Sequence, residues 1–455
     1  MKLVVFIVSL VGTLLVSAQE TDINTVSAIY QNALTSSAAY NNLNELCTNA
    51  PGRLVGSKES LRAIQILKAQ LEKLHPDTVY LQNYLTSSWR CKSPAQAKIQ
   101  YGTKEEVLNV VNLGLSVSTP DIGITGEILE VQSLNELDSL GTNAVKGKII
   151  FFNRAMDNLK LNTFEAYGGA YDQRANGASE ASKFGAIGVI IRSLSTEPND
   201  YPHTGVSKYK DGVLKIPNLS ISTNDAIKLS KIIKQNRVVK VWIKSDTETI
   251  ESVQTANLIA EIKGSNYPDK IILIGAHIDA WFNTPGAQDD GAGCAQMIDV
   301  FRIFKQLNIN PRNTIRLVLF MDEEMYQSGS KVYAKFAAKD KKEHIVSIES
   351  DAGGLLPLGF GIDANDSVIN SVKRLTVNLS NYGIYETGRG YGGVDIEPLK
   401  EFGVPLIGLK TNSQRYFEYH HSANDNINNV SRREMQLGTA AIASLLYLID
   451  KNGIK

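Results

Sequence analysis

The sequence predicts an α/β protein: a mixed, largely parallel sheet with helices on both faces, interrupted by an inserted β-rich segment. Three observations predict it. From Asn257 onward, short apolar runs alternate with amphipathic runs of helical length. The run Lys270–Gly275 is apolar without alternation, which suits a central strand buried on both faces. Between residues 121 and 245 the texture changes to short strand-like runs over a domain-sized stretch.

Taken in order, Met1-Lys2 gives a charged start, Leu3–Val16 an apolar run and Val16-Ser17-Ala18 the small residues of a cleavage site. The run is shorter than the roughly 20 residues a spanning helix needs. Residues 1–18 are therefore expected to be a cleaved export leader, placing the chain in the extracellular space or another secretory lumen such as the lysosome. No later run has the length and apolarity of a membrane span. An N-terminal part, 19–120, follows: Asp22–Gln82 reads as mainly helical, and Ser60–Leu71 carries apolar residues at helical spacing until His75-Pro76 stops it. Thr78–Leu85 alternates as a strand.

In the insertion, 121–245, the runs are Ile124–Val131, Lys148–Phe152, Ala181–Gly185 and Ala186–Ile191. The remainder, 246–455, supplies strands at Lys270–Gly275, Thr314–Phe320, His344–Ile348 and Val404–Leu409. Helices are expected at Ala292–Leu307, Val332–Ala338 and Ser431–Asp450, the last with Ser431 as cap.

Composition narrows the function. Lys plus Arg at 47 against Asp plus Glu at 47 gives a net charge of +0, which excludes a whole-chain basic field for nucleic acid. Three cysteines in 455 residues cannot build a disulfide scaffold. Cys47 and Cys91 are candidates to pair in an oxidising compartment, and Cys294, in an apolar stretch, reads as a buried thiol. Asn218, Asn365, Asn378 and Asn429 each head a glycan-acceptor tripeptide, which makes a glycoprotein an expectation.

The chemistry lies at the strand ends. The first core strand runs into His277-Ile278-Asp279, the next into Asp322-Glu323-Glu324 and the third into Glu349-Ser350-Asp351. Ligands of open α/β sheets bind beyond the carboxyl ends of the strands, so these residues converge on one rim. Asp289-Asp290 within a glycine-rich loop and His420-His421 with Asp425 complete the supply. Taken singly, each piece reads as ordinary: a structural histidine, a solvated acidic turn, a helix cap. Together they form a mixed nitrogen and oxygen set suited to zinc and large enough for two ions. The paired Glu323-Glu324 offers one carboxylate for metal and one for a proton. His75, His203 and His344 lack this setting and read as structural.

On the pattern His277-x-Asp279, Gly286–Asp290, Glu323-Glu324, Glu349-Ser350-Asp351 and His421-Ser422-x-x-Asp425, the chain resembles the two-zinc exopeptidase family of the bacterial leucyl aminopeptidase type. Gly52–Lys58, Gly123–Glu127, Gly177–Lys183, Pro202–Gly205 and Gly392–Leu399 resemble a carboxypeptidase branch of it with an inserted protease-associated domain. The resemblance implies two Zn2+ per chain, bridged by Asp289. His277 and Asp351 would complete one metal, Glu324 and His421 the other. It makes Glu323 the general base, ionised at rest, with Asp279 orienting His277 and Asp425 orienting His421. His420 competes as a ligand, but the His-Ser-x-x-Asp spacing favours His421. It further implies hydrolysis of dipeptides or short peptides with free termini by a metal-activated water, and a homodimer. Gly388–Tyr391 reads either as pocket lining or as a surface turn. Two competing readings are a catalytically inactive receptor-like protein, against which the complete ligand set speaks, and a glutaminyl cyclase-like zinc enzyme, against which the insertion speaks.

Overall fold

The computed structural model describes residues 22–454, so the leader expected over residues 1–18 lies outside the described residues. Helices α1 (22–35), α2 (Ala38–Asn49) and α3 (Lys58–Glu72) open the chain. Strands β1 (Thr78–Tyr101), β2 (Lys104–Leu108), β3 (Val110–Asn112) and β4 (Ile124–Val131) lead into the insertion. There α4 (Leu134–Val145), β5 (Ile149–Phe152), α5 (Thr163–Lys183), β6 (Gly188–Arg192), β7 (Asn218–Ile221) and α6 (Thr223–Gln235) alternate. The core then runs β8 (Lys240–Ile262), β9 (Tyr267–His277), α7 (Ala292–Gln306), β10 (Asn313–Phe320), α8 (Ser328–Ala337) and β11 (Glu343–Glu349). It closes with β12 (Pro357–Asp363), α9 (Asp366–Thr376), β13 (Gly388–Arg389), β14 (Leu406–Thr411), α10 (Tyr416–Tyr419) and α11 (Arg432–Asn452).

One sheet runs through the described residues in the order β13-β12-β14-β11-β9-β10-β8-β4-β5-β6-β7-β3, and β1 pairs with β8 and β2. The C-terminal half is built on the parallel set β14-β11-β9-β10. Its strands are buried on both faces, as the unbroken apolar runs require. Leu258, Ile272, Ile274, Leu317 and Leu319 face one core with α7 and α11. Ile259, Ile271, Leu273, Val318 and Phe320 face the other with α8. Register alternation thus gives each strand a stripe on either side. Ser431 caps α11 by accepting the Glu434 N–H at 3.3 Å.

The insertion carries helices that its apolar runs do not announce. Its parallel set β4-β5-β6-β7 is covered by α6 on one face and by α4 and α5 on the other. The reading of Ala181–Gly185 as a strand-like run is corrected: Ala181–Lys183 are the last residues of α5. This helix is rich in glycine and alanine and buries residues around much of its circumference, so no polar stripe marks its period. β1, read as a strand only to Leu85, continues to Tyr101 because β8 pairs with it across several register shifts.

All three cysteines are free. Cys47 packs with Leu43 and Ala292, whereas Cys91 packs with Trp89 and Trp281 and accepts from Asn112 Nδ2 at 3.3 Å, so the pairing considered from the sequence is not formed. Asn218 is fully buried and donates from its amide to Ser207 Oγ, which closes that acceptor to a glycan in the folded chain.

Candidate metal centre

Chain path brings the expected residues together. β9 ends at His277, Glu323 and Glu324 follow β10, Asp351 follows β11, Asp289 lies in the turn before α7 and His421 follows α10. Asp289 stands in the middle. Its Oδ1 is 3.2 Å from His277 Nε2, and its Oδ2 is 3.2 Å from His421 Nε2. Asp351 Oδ1 lies 3.5 Å from His277 Nε2, and Glu324 Oε2 lies 3.1 Å from His421 Nε2.

These separations are those of co-ligands. Atoms held about 2.05 Å from a tetrahedral zinc ion stand about 3.3 Å apart. The other Glu324 oxygen, Oε1, is buried without a hydrogen-bond partner. The residues therefore fit a divalent metal, with donor atoms gathered on each side of Asp289.

The surrounding contacts fix the ligand atoms. His277 Nδ1 meets the Asp279 carbonyl at 3.1 Å, and His421 Nδ1 meets the Thr204 carbonyl at 3.2 Å, so each ring presents Nε2 to the centre. The fully buried Asp279 carboxylate accepts the backbone N–H groups of Asp322, Glu323 and Glu324 at 2.9, 3.1 and 3.3 Å, tying the β10 turn beneath β9. Asp290 accepts from the His277 and Gly293 N–H groups, which joins the β9 end to the start of α7. His421 itself has φ +62, a left-handed conformation that costs a histidine free energy. Its carbonyl holds that shape by accepting from Thr204 N at 2.9 Å and Asn283 Nδ2 at 3.1 Å.

Charge follows geometry. Burial lowers the pKa of His421, but the Glu324 charge and hydrogen bonds to Asp289 and Glu324 outweigh it and hold the ring at about 9. Burial likewise opposes the proton on His277, yet Asp279, Asp289 and Asp351 raise it well above the usual range. A cation must displace these protons. Zinc affinity of the metal-free protein is therefore expected to rise from pH 6 to pH 8 by about 100-fold for each proton displaced. Competition titrations at the two pH values check this; equal affinities would contradict the contacts.

Residues 257–446 match peptidase family M28. Carboxypeptidase Q of Bos taurus is 30% identical over 90% of this chain and 85% of its own length, and that of Homo sapiens gives the same figures. The chain belongs to peptidase family M28. The crystal structure of a peptidase M28 precursor from Shewanella amazonensis superposes with a TM-score of 0.90 at 29% identity, over 96% of this chain and 98% of that one. A zinc aminopeptidase from Bacillus subtilis shares the fold at 18% identity and a TM-score of 0.65, over 91% of this chain and 95% of its own.

In this M28 chain one sequence expectation is corrected. Asp425 does not orient His421: its carboxylate accepts from the Gln288 and Asp289 N–H groups at 2.6 and 3.1 Å and so sets the backbone of the central aspartate. The acceptor for His421 comes instead from the insertion, in the Pro202–Gly205 piece whose role the sequence left blank. His420 stacks on His421 with ring centroids 3.5 Å apart, its Nε2 3.7 Å from Asp289 Oδ2, so it lies behind the nearer histidine. His203 is buried against the pair, and Gly388–Tyr391 do line the cleft. His344 bonds Tyr333, and His75 is exposed, both away from the centre.

Sequence reasoning missed several buried groups. Arg53 is fully buried and donates to the carbonyls of Ile278, Pro285 and Gly286, clamping the loop that carries Asp289. Glu349 accepts from the Ile396 N–H at 2.9 Å. Gly393, at φ +136, lies against that carboxylate, and an added Cβ would stand 2.4 Å from its Cδ. Asp395 is buried with neither carboxylate oxygen bonded. The acid was visible in the Gly392–Leu399 piece, but nothing local to it announces burial.

Proposed function

We propose that the chain is a secreted zinc exopeptidase that hydrolyses dipeptides or short peptides with free termini. The observation that carries this reading is Asp289 with its two oxygens turned to separate histidines, each accompanied by a further carboxylate. His277, Asp289 and Asp351 would hold one zinc ion, and Asp289, Glu324 and His421 the other. The leader-like run Leu3–Val16 supports export, and the bovine and human relatives are named carboxypeptidases.

Zinc when bound supplies a Lewis acid that lowers the pKa of water and polarises a peptide carbonyl, and its charge favours ionised neighbours. The chain supplies the rest. A cleft of about 1560 Å³ gives room for a short peptide beside Glu323 and Asp351. Glu323 is the proton carrier: it takes a proton from the attacking water and returns it to the leaving amine. In the chain alone its desolvated setting raises its pKa well above the usual range; His277 opposes this while Asp351, Glu324 and Asp395 add to it. The ionised form expected from the sequence thus depends on the metals' positive charge. Asp279 orients both catalytic segments, since it meets His277 and the backbone of Glu323.

The test joins metal analysis to a dipeptide panel blocked and unblocked at each end. Two zinc ions per chain are expected, with turnover of unblocked dipeptides that a chelator abolishes and zinc restores. Two ions bound with no turnover anywhere on the panel would favour the receptor-like reading.

A further inference from the structure

We propose that Thr204 is a positioning residue of the metal centre: through its backbone the insertion holds His421 in the pose of a ligand, and so sets the affinity of one metal position and not of the other. This rests on the two-ion reading above. The two histidines are held in different ways. His277 ends β9, pairs with Phe320 in the sheet and turns its Nδ1 to the Asp279 carbonyl at 3.1 Å, two residues along its own chain. Its own carbonyl accepts Cys294 Sγ at 2.9 Å. All of these partners belong to the C-terminal half. His421 lies outside the strands, after α10, at φ +62, a conformation that a histidine keeps only where its surroundings impose it.

Thr204 imposes it at two points. Its N–H donates to the His421 carbonyl at 2.9 Å, and its carbonyl faces His421 Nδ1 at 3.2 Å. One bond fixes the main chain and the other the ring, so the pair sets the rotation of the imidazole relative to its backbone. Nε2 is thereby aimed at Asp289 and Glu324, 3.2 and 3.1 Å away.

Thr204 is itself anchored from the other side. It is fully buried, and its hydroxyl donates to the Asn112 carbonyl at 2.7 Å, at the end of β3. Its carbonyl also accepts Arg174 Nη1 at 3.3 Å. The His203 N–H before it donates to Ser193 Oγ at 2.8 Å, and the Gly205 carbonyl after it accepts the Gly114 N–H at 2.9 Å. These partners lie in the insertion or at the end of β3, which pairs with β7 of the insertion. One ligand is therefore oriented within the core, and the other across the junction with the insertion. Losing the partner that orients a ligating imidazole lowers metal affinity about 10–100-fold. Such coupling is reciprocal, so an ion held by His421 steadies the Thr204 segment by the same factor.

The test is a stepwise zinc titration against a competing chelator, on the full chain. Thr204→Val keeps the side-chain volume and removes the hydroxyl anchor. It should weaken one of the two zinc steps by about 10-fold and leave the other within about threefold. Asp351→Ala should weaken the step that Thr204→Val spares. A merely structural threonine would lower the Tm and leave both constants alone, or weaken both alike, and either result would overturn the assignment. Hydrogen exchange reads the reciprocal effect without altering Thr204. Its amide should exchange about 10–100-fold more slowly in the loaded wild type than in the metal-free chain, and the slowing should persist in Asp351→Ala carrying a single ion. Equal exchange with and without zinc would overturn the proposal. A wild type that binds one ion only would end it together with the two-ion reading. Two ions bound and no peptide hydrolysed would remove the peptidase reading and leave this one to be decided by the titration.

Discussion

Glu323→Gln is expected to keep two zinc ions and to lose peptide hydrolysis by about 10²–10⁴-fold, the scale of a positioned general base. The substitution keeps the side-chain shape and removes only the capacity to take a proton. Glu323 is not among the side chains that contact the Nε2 atoms of His277 or His421, so the ligand set is untouched. Its backbone N–H would still bond Asp279 at 3.1 Å, which keeps the turn in place. Atomic absorption beside a continuous dipeptide assay separates the two quantities. Near-normal turnover would move the proton to another group, with the buried acids Glu349 and Asp395 the candidates.

Asp289→Ala is expected to act on both quantities at once. Asp289 is the residue that faces both histidines, so its removal takes one oxygen from each side of the centre. Zinc should fall from two ions to fewer than one per chain under dialysis, with activity at the blank. His277 and His421 would each also lose a carboxylate that raises its pKa, so their protonated forms weaken together. Two zinc ions retained by this variant would show that the bridge lies elsewhere, and Asp290 is the adjacent candidate. Asp290 is less suited, because its two oxygens already accept the His277 and Gly293 N–H groups.

Much of this centre was legible in the sequence because strand periodicity fixes where strands end. β9, β10 and β11 close within a residue or two of the expected positions, and the rim rule then gathers His277, Glu323, Glu324 and Asp351. What stayed hidden depends on contacts between distant segments. Thr204 reaches His421 across 217 positions, and Asp425 reaches Asp289 across 136. Neither residue type announces such a partner. The helix α5 was hidden for a different reason: it has almost no polar stripe, so its burial could not be told from its spacing.

The two long strands have one more consequence. β1 and β8, of 24 and 23 residues, run antiparallel through both halves: β8 pairs with β4 near its start and with β10 near its end. Among the described residues the chain therefore leaves the inserted unit along a paired strand rather than along a loose linker. A chimaera cut at residue 245 would sever a hydrogen-bonded ladder, so a graft from a relative must bring both strands with it.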